Sequence, residues 1–109
     1  MENLKLRPVL AIRVFAGDTK AFGPGIATLL RHVDALHSLR KAAAEMGMAY
    51  SKAWRIVNEA EGQLGCKLIE RDGARGSTLT PRGRRALEAY LDIQAEVDEV
   101  LRRRARELE

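Results

Sequence analysis

The apolar residues at the start of the chain recur at alternate positions. From Leu4 to Phe15 the even positions are apolar residues or proline, whereas basic residues take several of the odd ones. Alternation with a period of two is typical of a half-buried strand. We therefore predict a strand over Leu4–Phe15, with Pro8 favouring an edge position or an early break. A turn signal at residues 16–19 precedes Lys20–Phe22, which is predicted to return as a second strand.

From residue 24 the apolar residues change to the three- and four-residue spacing of helices. Pro24 opens the first predicted helix, Ser38 is a good N-cap for the second, and Gly47 ends that second helix. A third helix is predicted over Tyr50–Leu64. Its inward-facing residues are Ala53, Trp54, Val57, Ala60 and Leu64. This order predicts a three-helix core over residues 24–65.

Two short strands and a long helix are predicted for the rest of the chain. Lys67–Arg71 and Ser77–Thr80 flank a tip with the sequence DGARG, which predicts a β-hairpin over residues 66–80. Thr80 followed by proline is typical of a helix start. The last helix is predicted to run to about Arg104, within a segment spanning residues 81–105. Its apolar stripe consists of Ala86, Tyr90, Ile93, Val97 and Val100, widened by Leu87, Leu91 and Leu101.

Three helices followed by a hairpin is the element order of a winged helix-turn-helix. In that fold the second helix of the helix-turn-helix pair enters the DNA major groove. We therefore predict a single domain over residues 1–109, mainly α with a small β-sheet and with an N-terminal strand region over 4–22. The third helix is the predicted recognition helix.

The side chains that core burial leaves on the outside of this helix are of types that contact DNA. The predicted DNA-binding residues are Tyr50, Ser51, Lys52, Arg55 and Asn58 on the helix, with Arg71 and Arg75 on the hairpin. Arginine and lysine donate to guanine, asparagine pairs with adenine, and cations on the hairpin neutralise flanking phosphates. The alternative is that Lys52 and Arg55 form an ordinary solvated surface. Trp54 is expected in the core rather than as a stacking platform.

The charge distribution favours a polyanionic partner. The 109 residues carry a net charge of +4; residues 66–85 hold six basic and two acidic side chains, whereas residues 86–109 hold four basic and seven acidic ones. A basic region concentrated on a small chain is typical of a nucleic-acid-binding surface. No apolar run approaches the length of a membrane span, and the first residues lack a secretory signal. We therefore expect a cytoplasmic protein with no membrane partner.

The sequence offers little support for catalysis. It contains no Walker loop, no dinucleotide-binding glycine pattern and no His/Cys cluster with metal-ligand spacing. We therefore expect no enzyme activity, no cofactor and no metal. The single cysteine, Cys66, is expected to be a small half-buried hydrophobe, and a redox-sensitive thiol beside Lys67 is the alternative.

Two stretches of the chain resemble the N-terminal DNA-binding domain of the ModE family of molybdate-responsive regulators. They are FGPGIATLLRHVDALHSLRKAAAEMGMAYSKAWRIVNEAEGQLG and KLIERDGARGSTLTPRGRRALEAY. The shorter motifs SLRKAAAEMG, LGCKLIERD and LTPRG are similar to the helix-turn-helix of LysR-type regulators, and the run YSKAW favours the ModE side. The resemblance implies a dimeric winged helix-turn-helix whose recognition helix begins near Tyr50. It also implies that the long last helix pairs the subunits.

The apolar stripe on the last helix supports the same pairing, because a symmetric partner commonly covers such a face. We predict a homodimer, with part of the stripe packing on its own domain. The predicted interface residues are Ala86, Tyr90, Ile93, Val97, Val100 and Leu101. The predicted function is a sequence-specific transcriptional regulator that binds double-stranded DNA. The alternative is an interaction module that retains the fold and pairs with an effector-binding subunit.

Three departures from the ModE pattern limit what the resemblance implies. The sequence ends at Glu109 without the oxyanion-binding module, so molybdate binding is not expected within it. The hairpin tip, DGARGS, is short, which weakens the expectation of DNA contacts there. Ala49 stands where a capping serine is usual, and a poor cap costs about 1 kcal/mol. The start of the recognition helix is therefore open to a shift of one residue.

Overall fold

The computed structural model describes residues 6–73 and 76–109. Its elements are β1 (Val14–Ala16), β2 (Thr19–Phe22), α1 (Pro24–Leu36), α2 (Leu39–Glu45), α3 (Tyr50–Leu64), β3 (Ile69–Arg71), β4 (Ser77–Leu79) and α4 (Pro81–Arg104), followed by a 3-10 turn over Ala105–Leu108. Three helices, an antiparallel hairpin and a long helix form the winged helix-turn-helix that the sequence predicts. The β3–β4 hairpin is the wing, and α2 and α3 are the helix-turn-helix pair.

Local sequence signals set the ends of the helices. Ser38 Oγ accepts the backbone N–H of Lys41 at 3.0 Å, and Thr80 Oγ1 accepts that of Gly83 at 2.9 Å. Both side chains are therefore N-caps, as predicted, and each satisfies a backbone donor of the first helical turn. α3 ends where Gly65 adopts the left-handed region, with φ +71°.

The core lies where α1, α2 and α3 meet beneath the wing. Its largest fully buried side chains are Leu29, Leu30, Val33, Leu39, Val57 and Leu68. Ala42 and Ala43 of α2 are also buried, and their small size lets α2 pack closely against its neighbours. Burying one large aliphatic side chain stabilises the fold by about 2 kcal/mol, so this cluster makes the main contribution to stability.

The chain before α1 forms less strand than its alternating pattern predicts. β1 covers only Val14–Ala16, and its antiparallel partner β2 covers Thr19–Phe22 as expected. Leu6–Arg13 is not a strand, so that part of the prediction is wrong, and Leu4 lies outside the described residues. Among the residues that the structure describes, no strand pairs with Leu6–Arg13, and two of its carbonyls accept side-chain hydrogen bonds from α4 instead.

Those hydrogen bonds fix the N-terminal segment along the long helix. Tyr90 Oη donates to the Ile12 carbonyl at 2.8 Å, and Gln94 Nε2 donates to the Leu10 carbonyl at 2.8 Å. The Tyr90 ring also packs on Phe22, with ring centroids 5.3 Å apart. The apolar side chains of this N-terminal segment are only partly buried, and Leu10 remains 51% exposed.

Within residues 6–73 and 76–109, no helix combines the length and the apolarity that crossing a bilayer requires.

Candidate nucleic-acid interface

The recognition helix α3 presents a polar face to solvent. Ser51, Lys52, Arg55 and Asn58 are exposed, as predicted from the pattern. Ala53, Val57 and Ala60 are buried on the opposite side, and Trp54 and Leu64 are only partly buried. Because the apolar side is anchored in the core, the orientation of the helix is fixed and the polar side remains free for a partner.

The start of α3 does not shift, although Ala49 is a poor cap. Ala49 is extended, with φ −67° and ψ 147°, and no side chain caps the helix. The carbonyl of Ala49 accepts the N–H groups of Lys52 and Ala53, each at 3.1 Å. The preceding turn closes through Gly47, whose φ is +66°, and through the Met48 N–H, which donates to the Ala43 carbonyl at 3.0 Å.

Two arginine side chains lie over an aromatic pair at the start of α3. Trp54 Nε1 donates to Tyr50 Oη at 3.0 Å. Arg71 Cζ lies 3.7 Å from the centroid of a Trp54 ring, and Arg40 Cζ lies 4.2 Å from that of Tyr50. Trp54 packs against the core, as expected, but it is only partly buried, and the Arg71 guanidinium covers one face of its indole. The sequence signal for Arg40 is weak, since its position is that of an ordinary exposed arginine on a helix.

The wing is attached to α3 through a buried carboxylate that apolar periodicity does not predict. Glu61 is 9% exposed, and its Oε2 accepts the N–H groups of Leu68 at 2.9 Å and Ile69 at 3.4 Å. Lys67 Nζ lies 3.6 Å from the other oxygen. A glutamate inside an apolar helical stripe was the available signal, because such a group is buried only when it has partners.

Replacing Glu61 with alanine is expected to lower the free energy of unfolding by about 2 kcal/mol, because two buried backbone donors lose their charged acceptor. Denaturant unfolding measures this loss. Glu59→Ala is the matched control, since Glu59 is exposed on the same helix and such surface changes stay within about 0.5 kcal/mol. Equal losses for the two variants would mean that Glu61 does not anchor the wing.

The strands of the wing place Arg71 beside the recognition helix. β3 and β4 pair antiparallel, with Arg71 opposite Ser77, and the Ser77 N–H donates to the His37 carbonyl at 3.0 Å. Arg71 is exposed, whereas Arg75 lies outside the described residues. Asn58 lies apart from Arg71 and lines a separate shallow depression with Cys66 and Lys67.

The predicted interface stripe on α4 divides between core and surface. Tyr90 is 7% exposed and burial raises the pKa of its hydroxyl, while Ala86 packs against the same core. Ile93 and Val100 are 51% and 45% exposed. Val97 and Leu101 are half-buried. The exposed apolar surface of this stripe therefore lies beyond Tyr90.

Not all of the basic residues near the wing are available to an anion. Arg84 makes two hydrogen bonds to Asp34, at 2.8 and 3.3 Å, which connect α4 to α1. These bonds hold the pKa of Asp34 below its ordinary value and raise the pKa of Arg84. Across the described ranges no group of three or more His, Cys, Asp and Glu side chains is placed to hold a metal. Cys66 is half-buried, as expected.

Comparison with known proteins identifies relatives for most of the chain. The sequence profile of bacterial regulatory helix-turn-helix proteins of the lysR family matches residues 27–84. The chain is 30% identical over 76 residues to the DNA-binding transcriptional dual regulator ModE of Escherichia coli K12 and to the transcriptional regulator ModE of Shigella flexneri. The alignment covers 66% of this chain and 29% of those proteins, so the chain spans less than a third of their length.

Solved structures with DNA share the fold. The CbnR_DBD–DNA complex is similar with a TM-score of 0.65 and 22% identity, over 78% of this chain and 97% of that one. The BenM_DBD complex with benA site 1 DNA is similar with a TM-score of 0.62 and 24% identity, over 75% of this chain and 94% of that one.

Proposed function

Because the chain belongs to the lysR family of bacterial regulatory helix-turn-helix proteins, we propose that it regulates transcription by binding a specific DNA sequence as a homodimer. The observation that carries this proposal is the exposed polar face of α3, on a helix whose opposite side is locked into the core. That orientation is the one a recognition helix needs to enter the major groove. A regulator of this kind works in the cytoplasm, where we place this one.

The proposed roles follow from the chemistry of each exposed side chain. Arg55 and Lys52 donate to guanine edges, and Ser51 contacts a base or a phosphate. Asn58, one turn further along α3, pairs with adenine. Tyr50 joins the contacts at the start of the helix, and Arg71 and Arg75 neutralise phosphates beside the groove.

The homodimer is proposed from the exposed apolar residues of α4. Ile93 and Val100 lie on the half of the helix beyond the core, and Val97 and Leu101 extend the same surface. A symmetric dimer would present two recognition helices to half-sites about one helical turn apart.

Selection of bound sequences from random DNA, with and without molybdate, tests the proposed function. We expect enrichment of one two-fold symmetric site, unchanged by molybdate. Absence of any enriched sequence would contradict sequence-specific binding and would favour an interaction module that pairs with an effector-binding subunit. Enrichment that depends on molybdate would contradict the expectation that this chain does not bind the anion.

Arg55→Ala is expected to weaken binding to the selected site about 10-fold or more, because one bidentate base contact contributes 1–3 kcal/mol of discrimination. Binding to unrelated DNA should fall much less. Fluorescence anisotropy with both DNAs measures the two affinities. Arg75→Ala is the comparison, since a phosphate contact should weaken both alike. Equal losses on the two DNAs for Arg55→Ala would remove its role in reading bases.

A further inference from the structure

Two arginines and two aromatic rings form one cluster between the helix-turn-helix and the wing. Arg40 comes from α2, Tyr50 and Trp54 from α3, and Arg71 from β3. Arg71 Cζ lies 3.7 Å from a Trp54 ring centroid and 5.9 Å from that of Tyr50, while Arg40 Cζ lies 4.2 Å from the Tyr50 centroid. Arg40 therefore stacks on Tyr50 and Arg71 on Trp54, with Arg71 also at the edge of cation–π range of Tyr50.

Within the part of the chain that the structure describes, neither guanidinium group forms a salt bridge. Arg84, Arg102 and Arg104 each pair with a carboxylate, whereas no carboxylate pairs with Arg40 or Arg71. Aromatic faces attract cations but do not neutralise them. The cluster therefore holds two positive charges that no salt bridge neutralises, an arrangement that favours an anion from outside the protein.

A groove of about 310 Å³ opens at the cluster. Both arginines and Tyr50 line it, together with Ser38 and Ser77. The wing side of the groove is held in place by the hydrogen bond from the Ser77 N–H to the His37 carbonyl. Gly76 allows this close approach, because a Cβ there would lie 2.1 Å from the same carbonyl oxygen. Backbone contacts therefore set the distance between the wing and the turn that joins α1 to α2.

We propose that Arg40 and Arg71 form a binding site for a phosphate of the DNA backbone, and that Tyr50 and Trp54 are positioning residues that hold the two guanidinium groups there. This inference rests on the proposed DNA-binding function. A stacked arginine leaves the N–H groups at the edge of its plane free for phosphate oxygens. The site lies at the start of the recognition helix, beside the exposed Ser51 and Lys52.

Stacking on the aromatic rings lowers the entropy that each arginine loses when it binds a phosphate. A free arginine side chain loses much rotamer freedom when it binds a phosphate, and an arginine already held against a ring has less to lose. The Trp54–Tyr50 hydrogen bond fixes the two rings relative to each other, so the rings form a rigid support. Lysine cannot replace this arrangement, since its ammonium lacks a plane to stack.

A double-mutant cycle of Trp54→Leu and Arg71→Ala tests the inference. Each single variant should lower affinity for the selected DNA site about 5- to 10-fold, and the double variant should lose no more than Arg71→Ala alone, because Trp54 acts through Arg71. The slope of log K against log salt should become shallower by about 0.9 in Arg71→Ala, as expected for one lost phosphate contact. Arg40→Ala should show the same slope change.

Matched controls separate positioning from folding. Arg103→Ala removes an exposed cation from α4 and should leave both the slope and the effect of Trp54→Leu unchanged. Thermal unfolding reports whether each variant is folded. If Trp54→Leu is unfolded, the double-mutant cycle is made with Trp54→Phe and Arg71→Lys instead. The first keeps an aromatic ring and the second keeps a positive charge, and both weaken the stacking of Arg71 on Trp54.

Independent losses in the cycle, or an unchanged salt slope in Arg71→Ala and Arg40→Ala, would overturn the phosphate site. In both cases wild-type protein would still bind its selected site, so the proposed function would stand. Failure of the wild-type protein to bind any DNA would instead contradict the proposed function and this inference with it.

Discussion

Ile93→Glu is expected to convert the proposed homodimer to a monomer and to weaken binding to its selected DNA site at least about 100-fold. Ile93 is 51% exposed on α4, so the folded subunit has no need to bury it. In a symmetric dimer the substitution places a charge from each subunit in an apolar interface, where neither has a partner. Loss of pairing removes the second half-site contact, and linked binding contributes two or more orders of magnitude.

Light scattering measures the oligomeric state, and anisotropy measures DNA affinity in the same buffer. Ala95→Glu is the matched control, because it adds the same charge to an exposed position on the opposite side of the same helix. The control should remain dimeric and bind as the wild type does. A dimeric Ile93→Glu variant, or a wild-type protein that is monomeric on its DNA, would contradict the proposed interface.

Gly83→Ala is expected to lower the free energy of unfolding by about 3 kcal/mol, the upper end for an added core methyl. Gly83 is buried in the first turn of α4, directly against the chain that leads into the wing. A Cβ on it would lie 2.1 Å from the Leu68 carbonyl oxygen. That oxygen also accepts the Thr80 N–H at 3.0 Å, so it cannot move away without loss of a hydrogen bond.

Gly62→Ala provides the opposite outcome in the same experiment. Gly62 is exposed inside α3, and a Cβ there would have no heavy atom within 4 Å. Helix propensity alone should then raise stability by about 0.5–1 kcal/mol. Urea unfolding measures both variants. A Gly83→Ala protein as stable as the wild type would show that α4 and the segment before β3 are not packed as closely as described.

The helices of this protein could be predicted from the sequence because their signals are local. Apolar residues three and four positions apart define the buried side of each helix, and Ser38 and Thr80 act as N-caps where they were expected. The exposed polar face of α3 follows from the same periodicity, since burial of Ala53 and Val57 forces Ser51, Lys52 and Arg55 outward. None of these outcomes needs knowledge of distant contacts.

The N-terminal segment and the aromatic cluster could not be predicted in this way. Alternation over Leu4–Phe15 indicates a strand only if another strand is available for pairing. The Leu10 and Ile12 carbonyls accept hydrogen bonds from α4 side chains instead. Trp54 lies in an apolar helical stripe, which favours the core. Its use by Arg71 depends on how closely the wing returns to α3, 17 residues later in the chain.

The distribution of charge is visible in the sequence, but the ion pairs that neutralise part of it are visible only in the tertiary structure. The excess of basic residues over 66–85 is visible in the sequence, but Lys67 faces Glu61 and Arg84 faces Asp34. The positive charge that remains for a partner is therefore smaller and more localised than the composition indicates.

The sequence by itself determined the helices, their caps, the wing and the polar face of α3, because these depend on residues within one or two turns of each other. Only the tertiary structure decided that Tyr90 is buried, that Glu61 holds the wing, and that Arg40 and Arg71 share an aromatic support. Each of these contacts joins residues from separate elements, and its energy depends on a distance that periodicity does not encode.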